Sequence, residues 1–211
     1  RKRFFSVIKK LFLINPQEKA NQFFIDTISK ECSDINFKKN ILYIEVCRKN
    51  DLFFDITINL IKKKYKENRR LISSSEIFDF LGNHGQGTKL EEWSDITIKK
   101  ISSKYNTFMR KLGYFQKENR QKSSFNFPYP DKKIITYIVY LLKIAQKVDN
   151  EVYNSKLFQA FMLTEEKKID VLKKGSLAGY YDFSLSGNKN AIFELNYPEE
   201  EIIDELFAKK P

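Results

Sequence analysis

Between residues 97 and 112 the apolar side chains Ile98, Ile101, Tyr105, Phe108 and Leu112 fall three or four apart, and Gly113 follows directly. That spacing lays all five on one stripe of an α-helix. Glycine after the last turn supplies the left-handed residue on which helices commonly stop. Upstream, Ser73-Ser74-Ser75 is placed to cap a shorter helix, "EIFDFLGNHG", closed by its own glycines. Downstream, "YFQKENRQKSSFNF" is aromatic at both ends and basic or polar between, which reads as an extended arm or hairpin. Capped helix, second helix, then extended arm is helix-turn-helix order, and it predicts a winged-helix-like unit over residues 71–127.

The flanks are also mostly helical in period. From Phe4 to Tyr65 apolar residues recur at helical spacing: Phe23/Phe24 and Ile28, then Phe37, Ile41, Ile44 and Val46/Cys47 after a break near 33–36. Asn15-Pro16 separates two helices, with proline at an early position where its missing N–H costs nothing. Asp51 is a candidate cap for a further helix through Phe53, Ile56, Ile58, Ile61 and Tyr65. Ile56–Ile58 is β-branched, but the helical period on both sides keeps it helical. Residues 1–70 are therefore expected to form a basic helical bundle ending in "IKKKYKENRR". After Pro128 and Pro130 come an apolar helix at 132–147, "NSKLFQAFM", and a helix "EEKKIDVLKK" capped by Thr164. The segment "YYDFSLSGNKNAIFELNY" at 180–197 then sets two β-type runs around a Ser-Gly-Asn-Lys-Asn turn. Residues 128–211 are expected to form a second winged-helix-like unit with a C-terminal β-hairpin. "FMRKLGYF" and "GSLAGYYDF" echo one another, each placing Gly-Tyr-aromatic after a helix, which favours a tandem arrangement.

Composition narrows the class. Seven Gly and five Pro in 211 residues, with 19 Phe and 11 Tyr, indicate an ordered globular chain with a substantial core. No apolar run approaches the ~20 residues that cross a bilayer; the best, Ile134–Ala145, is short and interrupted by Lys143. No secretory leader is visible, because Lys9 and Lys10 break the first apolar stretch. Cys32 and Cys47 sit on apolar-periodic segments and read as reduced core thiols. A cytoplasmic protein without a membrane partner is expected.

Net charge is +11, and its placement is uneven. Residues 1–122 hold 26 Lys and Arg against 14 Asp and Glu, whereas residues 123–211 hold 12 against 13. The positive excess lies wholly in the first part and attracts polyanions. On helix 97–112, Lys99, Lys100, Ser103, Lys104, Asn106, Thr107, Arg110 and Lys111 lie opposite the apolar stripe. Lysine heads reach phosphates, and short polar groups meet base edges, as a helix entering a major groove requires. An ordinary solvated face would also be lysine-rich. Further phosphate-contact candidates are Lys62, Lys63, Lys64, Arg69 and Arg70, then Lys117, Arg120 and Lys122, and Asn188 and Lys189 at the hairpin tip. The surroundings of that hairpin are acidic (Asp182, Glu194, Glu199–Glu201), which suits contact with a protein.

Two patterns carry no chemistry. "GNHGQGTK" at 82–89 lacks the Gly-Lys-Ser/Thr order of a phosphate-binding loop, and no strand precedes it; its His84 has no ligand partner nearby. Pro130-Asp131 with Glu165-Glu166-Lys167 spells a loose metal-nuclease pattern, but Asp131 and Glu165 both stand at helix starts, where the macrodipole favours acids. No nucleophile–base set is visible with one histidine. Catalytic residues, metal ligands, cofactors and a small-molecule substrate are therefore not expected.

The order "LISSSEIFDFL…LEEWSDITIKKISSKYNTFMRKLGYF", followed by "LFQAFMLTEEKKIDVLKKGSLAGYYDFSLSGNKNAIFELNY", resembles the BrxA family of the bacteriophage-exclusion (BREX) defence systems. The resemblance implies a helical N-terminal part similar to a transcription-antitermination (NusB-like) bundle, winged-helix elements, double-stranded DNA binding, and a role beside other BREX proteins. A non-enzymatic DNA-binding component, holding mainly the phosphate backbone with modest sequence specificity, is the expectation. A protein-only adaptor and an RNA-binding regulator remain the alternatives.

Overall fold

The computed structural model describes residues 18–31, 34–84, 92–187 and 190–208, which are mainly helical. The helix expected at Phe4–Ile14 and most of the 82–89 glycine segment lie outside the described residues, as do Cys32, Asn188 and Lys189. In chain order the first elements are α1 (Lys19–Ser29), α2 (Ile35–Lys49), α3 (Asp51–Asp55), a π-helical stretch (Ile56–Ile61) and α4 (Lys62–Lys66). Next come β1 (Leu71–Ser73), α5 (Ser74–His84), α6 (Asp95–Leu112), β2 (Phe115–Lys117) and β3 (Lys122–Phe125). The remainder is α7 (Lys132–Ile144), α8 (Asp149–Tyr153), α9 (Lys156–Gln159), α10 (Glu165–Leu177), β4 (Tyr181–Leu185), β5 (Ala191–Leu195) and α11 (Glu199–Phe207).

These elements gather into two compact units rather than three consecutive segments. Among the described residues, one draws on 18–49, 130–159 and 163–208, and the other on 50–129 and 160–162. The boundary expected at residue 70 thus falls inside the second unit, and residues 18–49 join the C-terminal part instead of α3 and α4. The physical reason is side-chain pairing far apart in sequence. Phe23 of α1 stacks on Tyr137 of α7 with ring centroids 5.3 Å apart, and the Tyr137 hydroxyl donates to Glu45 of α2 at 3.2 Å.

In the first unit α7 is buried on nearly every side, from Ile134 through Leu142. A helix apolar all round belongs at the centre of a core. Asp131 starts it by accepting from the Ile134 N–H at 2.9 Å. The β4–β5 hairpin pairs Tyr181 with Leu195 and Leu185 with Ala191, burying Tyr181, Ala191 and Phe193 while Ile192 and Glu194 face solvent. Its base is strapped by Tyr140, whose hydroxyl donates to the Tyr180 carbonyl at 2.8 Å and accepts from the Tyr197 N–H at 3.1 Å.

In the second unit the helical period through Ile56–Ile58 holds, but as a π-helical stretch running from Ile56 to Ile61. Asn50, not Asp51, caps α3 ahead of it, accepting from the Phe53 N–H at 2.9 Å. The buried Thr57 hydroxyl bonds back to the Phe53 carbonyl at 2.9 Å and meets the Tyr105 hydroxyl at 2.9 Å, joining this helix to α6. A three-stranded antiparallel sheet in the order β1-β3-β2 closes the unit. Leu71 pairs with Ser124 and Ser73 with Lys122, while Phe115 pairs with Phe125.

Candidate nucleic-acid interface

The longest described helix, α6, begins on Ser94, whose hydroxyl accepts from the Thr97 N–H at 3.4 Å. It ends on Gly113 at φ 90°, with the Gly113 and Tyr114 N–H groups returned to the Arg110 and Met109 carbonyls. Asp95 in the first turn and Arg110 and Lys111 in the last complement the helix dipole. Ile98, Ser102, Tyr105, Asn106, Met109 and Leu112 form the buried face. Lys99, Lys100, Ser103, Lys104, Thr107 and Lys111 are all exposed, together with Ile96 and Thr97 in the first turn. Two side chains expected on this exposed face do not lie there. Arg110 is half-buried, its Nε donating to the Asn106 carbonyl at 3.4 Å. Asn106 itself is buried, at 3 % exposure.

Asn106 has a structural task. Its amide donates to Ser74 Oγ at 3.2 Å and accepts from Ser123 Oγ at 3.1 Å. One side chain thus joins α6 to the start of α5 and to the middle strand of the sheet. A buried amide with both ends satisfied fixes orientation, because any slip leaves polar groups unpaired.

The second basic cluster is split. Lys63, Lys66 and Arg69 are exposed, and Lys62 is partly covered; burial, with the Lys66 charge added, lowers its ammonium below the usual lysine value. Lys64 is buried and ion-paired with Glu76, so it does not stand free on the surface as the candidate contacts were expected to. Glu76 closes a capping box with Ser73: the Ser73 N–H donates to Glu76 Oε2 at 2.9 Å, and the Glu76 N–H to Ser73 Oγ at 3.1 Å. Burial pushes the Glu76 carboxyl up, but the bonds and charge from Lys64 and Ser73 outweigh it and hold it below the ordinary value. Nothing in local sequence separates Lys64 from its exposed neighbours except its spacing of three from Ile61 on the inward face.

Helix α4 stops at Asn68, which takes φ 57°. The Asn68 and Arg69 N–H groups return to the Tyr65 and Lys64 carbonyls at 3.2 and 2.9 Å, the double bond of a Schellman stop. This turn carries Arg69 and Arg70 off the helix axis toward β1. The Arg70 guanidinium lies over the Tyr65 ring, 3.5 Å from its centroid.

In the β2–β3 hairpin Lys117, Arg120 and Lys122 are exposed. Asn119 organises the tip, its Oδ1 accepting from the Gln121 and Lys122 N–H groups at 2.9 and 2.8 Å, an Asx turn that leaves Arg120 outward. Lys122 lies across the ladder from Ser73 and shares a cleft with Lys64, Arg69 and Arg70. The fold therefore brings the second and third basic clusters together, with the α6 stripe on the same unit. In the other unit, Ser186 and Asn190 close the β4–β5 turn through a 3.0 Å backbone bond.

The carboxylates of the loose nuclease pattern are both engaged. Asp131 caps α7; Glu165 accepts from the Tyr153 hydroxyl and pairs with Lys168 at 2.9 Å. Among the described residues no group of three or more His, Cys, Asp or Glu could hold a metal ion, and no helix is long and apolar enough to cross a membrane.

The family model described as BrxA matches residues 2–140, about two thirds of the chain and including all of the α6 stripe and the basic cleft. No curated protein and no solved structure matches the chain.

Proposed function

The chain belongs to the BrxA family, and on that premise we propose that this component of a bacteriophage-exclusion defence system binds double-stranded DNA. The reading rests on one observation above the others. Six candidate side chains, Lys99, Lys100, Ser103, Lys104, Thr107 and Lys111, are exposed along α6, while the opposite face is buried. The element order from α3 to β3, with a sheet ordered β1-β3-β2, supports use of this unit as a winged helix: α6 enters the major groove and the β2–β3 hairpin acts as wing. Lys117, Arg120 and the exposed lysines of 62–66 lie along the backbone as phosphate contacts.

Sequence reading by this interface is weak. Arg110 is the only arginine on α6 and is bonded to its own helix, so no free guanidinium fork meets a guanine edge from there. Affinity comes from phosphates, and random duplexes compete nearly as well as chosen ones. The protein performs no chemistry on the DNA in this reading. Plasmid incubated with Mg²⁺ or Mn²⁺ stays intact, and cutting abolished by Glu165→Ala would overturn that point. The acidic C-terminal surface around Glu199–Glu201 serves contact with other proteins of the system.

The deciding experiment is a gel-shift with duplex DNA, duplex RNA and single strands of matched length. Preferential shift of duplex DNA supports the reading. Preference for RNA moves the protein to the RNA-regulator class, and no shift at all leaves a protein-only adaptor.

A further inference from the structure

A cleft of about 460 Å³ opens in the second unit between the end of α4, the 67–70 turn, the start of β1 and α5, and β3. Its walls include Lys64, Arg69, Arg70, Ser73, Glu76 and Lys122. The single carboxylate is already committed, since Glu76 holds Lys64 and the Ser73 N–H. Arg69, Arg70 and Lys122 are left as the positive charge facing the space, with the exposed Glu67 beside Arg69 at 3.3 Å.

Arg70 distinguishes this cleft from a solvated basic patch. Its guanidinium carbon lies 3.5 Å from the centroid of the Tyr65 ring, and its Nη1 is buried without a hydrogen-bond partner. A buried guanidinium N–H left unpaired carries the full cost of its desolvation. Packing against Tyr65 confines the guanidinium to the cleft wall, so less side-chain freedom is lost when an acceptor arrives. The acceptor that satisfies a guanidinium fork and two neighbouring cations is a tetrahedral oxyanion with several lone pairs.

We propose that this cleft binds one phosphate group, with Arg70 as its inner ligand and Arg69 and Lys122 at its mouth. The chemistry is shared by a backbone phosphodiester and by the phosphate of a free nucleotide. The inference rests on the DNA-binding reading only for which molecule supplies the phosphate.

The test titrates the full chain with inorganic phosphate, and separately with deoxyadenosine monophosphate, at constant ionic strength in a chloride background. Binding is followed by calorimetry and by the NMR signals of Arg70 and Ser73. One saturable site is expected, weakened about tenfold in Arg70→Gln and several-fold in Lys122→Gln, as loss of charge-assisted bonds implies. Lys122 is exposed, so its variant carries the test should Arg70→Gln fail to fold. No saturable site, or a folded Lys122→Gln that binds as the wild type does, overturns the proposal. The source is read from the same variants on duplex DNA. A parallel loss of duplex affinity assigns the cleft to a backbone phosphate; unchanged duplex affinity with lost nucleotide binding assigns it to a free nucleotide. A chain that binds phosphate but no duplex keeps the cleft and sinks the DNA reading, and the reverse result keeps the DNA reading and sinks the cleft.

Discussion

The Ser123 hydroxyl, on the middle strand of the sheet, donates to the Asn106 side chain of α6 at 3.1 Å. Both residues are at most 3 % exposed. Asn106→Leu leaves the Ser123 hydroxyl buried and unpaired, which costs about 1–3 kcal/mol of stability. Because the same amide also holds Ser74, the variant loosens α6 against both neighbours. Urea unfolding should show the loss, and duplex affinity should fall although Asn106 cannot touch DNA. An Asn106→Leu variant as stable as wild type would show that the tie contributes nothing.

Gly175, inside α10, has no room for a side chain. A Cβ there would lie 2.9 Å from Tyr181 Cε1 and closer still to its Cζ and hydroxyl. Tyr181 is fully buried and its hydroxyl donates to the Leu172 carbonyl at 2.9 Å, so the ring cannot swing aside. Gly175→Ala should destabilise by about 1–3 kcal/mol through overpacking. Gly187→Ala, where nothing lies within 4 Å, is the control and should be nearly neutral in a thermal melt. Equal melting of the two variants would contradict the packing described.

What the sequence disclosed follows from which signals are local. The α6 stripe was legible because five apolar residues repeat at helical spacing. Gly113 and Gly179, the glycines shared by the segments 108–115 and 175–183, both follow helices at positive φ, 90° and 78°. Strand β1 was not legible, since Leu71–Ser73 is three residues long and owes its extended form to pairing with β3. Asn106 reads as a surface residue in the sequence because a short polar side chain beside an apolar stripe looks solvated; its partners come from 32 and 17 residues away. Lys64 is indistinguishable from its lysine neighbours in local sequence, because its partner Glu76 lies twelve residues on. The division into units was hidden for the same reason: contacts such as Glu45 with Tyr137, 92 residues apart, leave no local trace.

Glu45 gives the first unit a pH dependence. Its side chain is wholly buried, with Arg48 Nη2 at 2.8 Å. Burial pushes the carboxyl up by more than Arg48, Tyr137 and Lys49 pull it down, so it titrates above the usual value of 4.5. The folded chain therefore keeps this proton to higher pH than the unfolded chain does. The contribution favouring the fold is fully present below the unfolded value and is lost as pH rises through the raised folded one. Unfolding free energies of wild type and Glu45→Gln, measured from acid to neutral pH, should diverge in favour of wild type as pH falls. A constant difference, or one moving the other way, would contradict this assignment.

The α6 stripe as a phosphate-holding surface is the central claim, and the salt dependence of duplex binding tests it most directly. Each neutralised phosphate releases condensed counterions, so log affinity falls with log salt by roughly 0.9 per contact. Wild type should show a slope equivalent to about 4–7 contacts. Lys99→Glu, Lys100→Glu and Lys104→Glu combined replace exposed cations opposite Ile98 and Tyr105, so the protein should stay folded by circular dichroism. Its affinity should drop on every duplex alike, and its slope should flatten by roughly the three contacts removed. A folded triple variant with the wild-type affinity and slope would contradict the account and place any DNA-binding surface elsewhere on the protein.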